Sequence, residues 1–470
     1  MVKLAKGKIE KTLAAALKKI KPGKKEEREM GEFTRRIIAV SKKHAKPMLC
    51  GSVVKGTWLA GRNEIDLFLL FSPHLKRKQL QKKGLDAAKK IIKDLKGKYR
   101  IAYAEHPYLR GKVKFKRKTF DVDIVPCYNI KNPAKIKSAV DRTPHHVRFV
   151  NRNIGKKTDD VRLLKQFCKA AGCYGADVKT QGFSGYLCEL LIIKHKSFLN
   201  LLKQASKWHA GVAIDLKRKP DRQKLVEKFR SPLIVIDPVD PNRNVAAAVS
   251  PESFYKFVLA CNEFLKHPHS KKFIVEKGRP YSTNEIFREI KKRGSRFYLI
   301  HFKRPDVLDD VLWPQMRRTL VRLTGLLAEG GFRVMRSQAF ADNKECLLVL
   351  ELDVWKVPRT VKHMGPTIFS AKQSNAFLKH YKDKKVFVEG NNWFVETQRK
   401  HTAALLFLND FFSQKSKDLK AKGIPSKLAP EIASAKIASG ADAIKMISTL
   451  PPDFMIFFRN YFEKNLNFLS

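Results

Sequence analysis

Apolar and polar residues alternate in three successive styles along the chain. In residues 1–138 short apolar runs separated by turns predict a helix-plus-mixed-sheet region. A basic helix is expected over Glu26–His44, then a short strand over Pro47–Ser52 and a strong β run over Glu64–Phe71. Leu85, Ala88, Ile91 and Leu95 recur at helical spacing and predict a helix there, followed by short strands at Arg100–Ala104, Lys112–Lys116 and Phe120–Val125. Residues 139–270 read as mainly helical. Val161, Leu164, Cys168 and Ala171 form one apolar arc, with Asp159 and Asp160 at its start and Gly172 as its stop. Gly185–Leu202 reads as a single helix, and Leu233–Ile236 as a buried strand running into Asp237-Pro238-Val239-Asp240. In residues 271–398 a strand over Phe297–Phe302, a helix over Leu312–Glu329 and strands over Arg333–Phe340, Leu347–Val354 and Val386–Val388 suggest an α+β layer of ferredoxin-like type. Residues 399–470 read as a helical, lysine-rich tail with a break at Pro451-Pro452 before a last helix over Met455–Phe468.

Composition adds a constraint the pattern does not contain. The chain carries 96 Lys+Arg against 44 Asp+Glu, a formal net charge of +52. Such an excess repels itself unless a polyanion shares the space, which points to nucleic acid and to salt-dependent binding. A hydrophobic fraction of 43% is enough for ordinary cores and excludes disorder for most of the chain. The longest apolar runs, Leu67–Phe71 and Leu190–Ile193, are far too short to span a bilayer, so no membrane role is expected. The apolar run Leu13–Leu17 is flanked by lysines and reads as a short basic helix, not a signal peptide. Seven scattered cysteines without a CxxC pair fit small core thiols in a reducing, cytoplasmic setting.

Candidate chemistry rests on a few acids in this basic background. Glu64 and Asp66 are two apart on a predicted strand, so they share a face, while Ile65, Leu67 and Leu69 point the other way into a core. Two carboxylates side by side repel each other unless a cation sits between them, and hard oxygen ligands suit Mg²⁺. Asp121 and Asp123 share a face of a second predicted strand, so either one could join the pair. Upstream, Gly51-Ser52 follows a strand and could open a helix, with Lys55 beside it, where a hydroxyl and a backbone N–H can meet a phosphate as helix starts do. This is not a Walker loop. Taken alone, Glu64 and Asp66 also fit an exposed strand face paired with Lys or Arg. Gly-Ser, then Glu-x-Asp on a strand, then a distant strand Asp fits metal-assisted nucleotidyl transfer better.

On these residues the chain resembles the archaeal (class I) CCA-adding enzymes, tRNA nucleotidyltransferases of the DNA polymerase β superfamily. The stretches that carry the resemblance are GSVVKGTWLAGRNEIDLFLLF (51–71), AEHPYLRGKVKFKRKTFDVDIVPCY (104–128), IKSAVDRTPHH (136–146), VRLLKQFCKAAGCYGADVKTQGFSGYLCELL (161–191) and VIDPVDPNRNVAA (235–247). Weaker echoes follow at 303–315, 362–366 and around Trp393.

The resemblance implies an α+β multidomain fold. A polymerase-β-like nucleotidyltransferase head (1–138) precedes a helical, nucleotide-selecting central domain (139–270). An α+β ferredoxin-like body (271–398) and a helical basic tail (399–470) would hold tRNA. It implies template-independent addition of C, C and A to the tRNA 3′ end from CTP and ATP with Mg²⁺, contacts to the acceptor and T stems, and allows a homodimer. By position, Glu64, Asp66 and Asp123 would be the metal-binding catalytic acids. Ser52, Lys55, Lys165 and Tyr174 would hold the triphosphate and sugar, and His146 and Arg243 would face the nucleotide. Lysine stands at position 55 where the family usually has arginine, which removes the planar fork of a bidentate phosphate grip. Read without the family, Lys165 is a snorkelling lysine and Tyr174 a core tyrosine. The rival functions are a poly(A)-polymerase-like enzyme and a non-catalytic RNA-binding protein on the same fold; the latter's signature, a missing carboxylate, is absent.

Overall fold

The computed structural model describes residues 2–103, 107–275 and 278–463, with side chains from residue 7. Packing divides them into two compact units that part near residue 276.

The first unit starts with two helices, α1 (Val2–Ile20) and α2 (Lys24–Lys42). Next come β1 (Lys46–Cys50), a four-residue turn of helix α3 (Gly51–Val54), β2 (Glu64–Phe71), α4 (Arg77–Asp94), β3 (Lys98–Tyr103), β4 (Pro107–Phe115) and β5 (Lys118–Tyr128). The five strands form one mixed sheet in the order β1-β2-β5-β4-β3. Strands β2 and β5 run parallel, and the other pairs are antiparallel. Ile65, Leu67 and Leu69 do face the core, packed with Phe33 and Ile37 of α2 and Ala88 and Ile91 of α4. That leaves the Glu64/Asp66 face of β2 turned away from this core. The predicted helix over Leu85–Leu95 begins earlier, at Arg77, because the fully buried Leu80 carries the apolar face further toward the N-terminus than the sequence spacing alone marked. Ala104 of the predicted strand Arg100–Ala104 lies outside the described residues, as do residues 464–468 of the last predicted helix.

The rest of the first unit is mainly helical, with one short parallel strand pair: α5 (Arg142–Ile154), α6 (Thr158–Ala170), α7 (Gly185–His195), α8 (Phe198–Ala205), β6 (Val212–Ile214), α9 (Arg222–Phe229), β7 (Leu233–Val235) and α10 (Pro251–Lys266). The single helix expected over Gly185–Leu202 is two. Lys196 adopts a left-handed conformation at φ 70°, and Ser197 caps the next helix by accepting from the Asn200 N–H at 3.2 Å. The core of this part is built on Leu164, Phe167, Leu190, Leu191, Phe198 and Phe257. All seven cysteines are free, buried thiols, as their scatter implies.

The second unit carries a four-stranded antiparallel sheet and a separate three-stranded sheet of 360–367, 392–398 and 386–389. In the first, 345–354 pairs with 296–303 and 333–341. Its fourth strand, Lys436–Ser439, comes from the tail and pairs with residues 298–301. The tail is therefore not wholly helical. Its Ile447, Phe454, Phe457 and Tyr461 share one core with Phe297, Leu299, Leu347 and Val349 of the sheet. No helix among the described residues is long and apolar enough to cross a membrane.

Candidate active site

Strand register decides what the acids can do. The parallel pairing sets Glu64 opposite Asp121 and Asp66 opposite Asp123. Of the two candidate partners, Asp123 is thus the one beside Asp66. The turn after β1 rises directly over this pair, since Cys50 is opposite Asp66 in the antiparallel register. Gly51 has φ +71°, and a Cβ placed there would lie 1.8 Å from Asp66 Oδ2. Only glycine allows both the turn and the close approach of the carboxylate. Burial, then the neighbouring charge of Asp123, pushes the Asp66 carboxyl up to about 6, with Glu64 adding to the repulsion and Lys55 opposing it.

The side chains do not all converge. Glu64 turns outward to Arg62 (3.0 Å) and is 60% exposed. Asp123 is gripped by Arg110 of β4, whose Nε donates to Oδ1 at 2.8 Å and Nη2 to Oδ2 at 2.9 Å. Among the described residues no group of three or more His, Cys, Asp or Glu side chains is gathered to hold a metal ion. The backbone thus brings the three acids to one sheet face, while two arginines draw two of the carboxylates aside.

Behind the Gly51-Ser52 turn lies a buried polar network. Lys55 Nζ donates to Glu189 Oε2 at 2.5 Å, and Thr57 Oγ1 donates to Glu189 Oε1 at 2.8 Å. Lys165 Nζ reaches Thr57 Oγ1 at 3.0 Å and Glu189 Oε1 at 3.4 Å. Glu189 is fully buried on α7, and Lys165 is buried on α6. Lys165 is no snorkelling lysine: its ammonium points inward. Burial pushes it below its usual value, and Glu189 opposes that. Burial would raise Glu189, but Lys55 and Lys165 hold it below the ordinary carboxylate range. Two lysine side chains thus share one carboxylate. Tyr174 is half-buried after α6, and Gly185 opens the space between its hydroxyl and Lys165: a Cβ there would meet them at 3.3 and 3.5 Å.

A third cluster centres on Asp237, fully buried just after β7. Its Oδ2 is 2.9 Å from His146 Nε2 and accepts from Arg243 Nη1 at 2.9 Å; its Oδ1 accepts from the Tyr186 hydroxyl at 3.1 Å and the Val239 N–H at 2.9 Å. The His146 ring stacks on Tyr186 with centroids 4.0 Å apart. Burial works to raise Asp237, but its donors win and hold it down at about 2. Burial pushes His146 below its usual value against the pull of Asp237, so it is neutral at pH 7. The ionised acid then requires the hydrogen on Nε2 and leaves Nδ1 as an acceptor. Lys55 acts electrostatically on Asp66, His146 and Lys165 alike, so the three clusters adjoin.

Ser52, Lys55, Glu64, Asp66, Asp123, His146, Lys165, Tyr174 and Arg243 all lie in the first unit. Sequence reasoning missed Thr57, Arg110, Tyr186 and Glu189. A signal existed for one of them: Glu189 is the lone acid in the apolar helix GYLCELLIIKH, and such an acid needs buried cations.

The site sets carboxylates under a Gly-Ser turn, on a mixed sheet, with two lysines behind it. Fold and site together define a nucleotidyltransferase. Three family models match the chain: a nucleotidyltransferase domain over 36–146, the second domain of tRNA nucleotidyltransferase over 159–274, and the C-terminal domain of CCA-adding enzyme over 293–423. The CCA-adding enzyme of Methanosarcina acetivorans is 35% identical over 460 residues, covering 95% of this chain and 97% of that protein. The CCA-adding enzyme of Methanocaldococcus jannaschii is 37% identical, covering 86% and 90%. That of Methanothermobacter thermautotrophicus is 38% identical, covering 79% and 80%. Among solved structures, the chain is similar to the Cid1 poly(U) polymerase at 14% identity and a TM-score of 0.45, covering 57% of this chain and 98% of that one. The chain belongs to the CCA-adding enzymes, a family of tRNA nucleotidyltransferases.

Proposed function

We propose that this chain rebuilds the 3′ end of tRNA by adding C, C and A from CTP and ATP, without a nucleic-acid template and with release of pyrophosphate. The observation that carries the proposal is the in-register pairing of Glu64-x-Asp66 with Asp121-x-Asp123 beneath Gly51, in a chain that aligns almost end to end with CCA-adding enzymes.

Glu64, Asp66 and Asp123 are hard oxygen donors, and the raised Asp66 marks a carboxylate disfavoured by burial and by the neighbouring Asp123 charge, a cost that a divalent cation would relieve, so the residues fit Mg²⁺. Bound there, Mg²⁺ supplies polarisation of the α-phosphate and charge neutralisation for the departing pyrophosphate. Asp123 accepts the proton of the primer 3′-hydroxyl. Ser52, Lys55, Lys165 and Tyr174 hold the triphosphate and sugar, with Glu189 keeping the two ammoniums together. Arg243, oriented by Asp237, offers donors to a base edge. Cytosine and adenine present acceptors at N3 and N1, where uracil and guanine present N–H groups that would face donor with donor. His146 stacks beside this pocket on Tyr186.

In this reading residues 1–138 are the catalytic head and 139–270 select the nucleotide. Residues 271–398 and 399–470 grip the acceptor and T stems through phosphates and shape. A homodimer belongs to the same proposal and is read by light scattering. The decisive experiment is incorporation into a tRNA lacking its last three nucleotides. Two C from CTP alone, and a stop at CCA with CTP and ATP, are expected; a long A ladder, or RNA binding without incorporation, would sink the proposal.

A further inference from the structure

Asp123 already has a cation. Arg110 lies opposite it in the antiparallel β4–β5 register, and two guanidinium nitrogens take both carboxylate oxygens at 2.8 and 2.9 Å. The hydrogen bond to Asp123 in turn raises Arg110 above its already high value, so the guanidinium stays charged. The guanidinium takes one lone pair on each oxygen, and its positive charge beside the remaining lone pairs repels a divalent ion there. The ion and the guanidinium therefore compete for the charge of one carboxylate.

The position of Arg110 makes the competition reversible. Its side chain is 41% exposed and that of Asp123 26%, so the pair stands at the edge of the site where water screens it. Arg110 has a second partner that does not depend on Asp123. Tyr108, two residues earlier on the same strand face, accepts from Nη2 at 2.9 Å, and its ring lies 5.7 Å from the guanidinium carbon. Leaving Asp123 does not strand the charge.

We propose that Arg110 is a displaceable counter-ion: it neutralises Asp123 while the metal site is empty and sets the affinity of that site for a divalent cation by having to yield. Arg110 is a positioning residue, acting through Asp123. The inference rests on the assignment of Asp66 and Asp123 as metal ligands.

The test is Mn²⁺ binding to the full chain without nucleotide, followed by electron paramagnetic resonance of the free ion. Removing an exposed bidentate competitor should tighten binding about tenfold in Arg110→Gln. Arg110→Lys, which keeps the charge but loses the fork, should fall between that variant and wild type. Lys112→Gln is the control for charge alone, because Lys112 sits 4.0 Å from Asp121 and has no bond to Asp123; it should change binding less than about twofold. The Mg²⁺ concentration for half-maximal incorporation should shift down with Arg110→Gln as well. Binding that is unchanged or weaker in both Arg110 variants, in protein that melts like wild type, would overturn the proposal. If wild type binds no Mn²⁺, or Asp66→Asn binds it as well as wild type, it is the metal assignment that fails instead.

Discussion

Folding makes Asp66 harder to ionise, and that has a thermodynamic consequence. In the metal-free chain, burial and the Asp123 charge push its carboxyl from an unfolded value of about 3.8 to about 6. For an acid raised on folding, the folded state keeps a proton that the unfolded chain has already lost. Stability attributable to Asp66 therefore falls as pH rises from about 4 through 6 and stays low above. Asp66→Asn removes the ionisation while keeping the shape. In EDTA at pH 7.5 the variant should melt higher than wild type by on the order of 2 °C or more, with the gap closing as pH falls toward 4. Mg²⁺ should raise the melting midpoint of wild type and leave the variant unmoved, while incorporation is lost. Scanning calorimetry across this pH range reads all of it, and a variant that melts lower at every pH would contradict the reading of Asp66.

Elements differ in how much of themselves they write into sequence. Strand β2 is legible because a period of two needs only local residues: Ile65, Leu67 and Leu69 on one face fix Glu64 and Asp66 on the other. The parallel partner of β2 was not legible in the same way. It lies some fifty residues on, and only register shows that Asp123, not Asp121, meets Asp66. The tail strand at Lys436–Ser439 escaped for a related reason: four residues are too few for a period, and its place on the sheet is a tertiary fact. Helix α7 shows the opposite case, a local oddity whose meaning is remote. Its Glu189 bonds Lys55 and Thr57, 134 and 132 residues away in the chain. Glu189→Ala would leave two lysines buried around no anion, a loss of about 3–5 kcal/mol of stability by urea unfolding. Lys165→Met in the same chain should recover part of that by removing one of the unpaired charges. A cost below about 1 kcal/mol for Glu189→Ala would mean that the network does not hold α7 to the Lys55 turn.

The whole molecule places its few acids where they organise cations and leaves most of its basic charge to the surface. Glu189 and Asp237 each gather several partners in the first unit. In the second, Glu351 accepts from Arg293, Ser295 and the Tyr461 hydroxyl and ties the tail helix to the sheet. Once such pairs are counted, a formal charge of +52 still remains. If it serves tRNA, affinity is driven by counterion release and must fall steeply with salt. A footprint that neutralises six or more phosphates should lose about a thousandfold in affinity between 50 and 200 mM salt. Nucleotide binding should respond far less, because its lysines are buried and already share Glu189. Filter binding of tRNA and the KM for CTP, measured over the same salt series, separate the two. A tRNA affinity that weakens tenfold or less would assign the charge to solubility, and would move recognition of tRNA onto shape and hydrogen bonds.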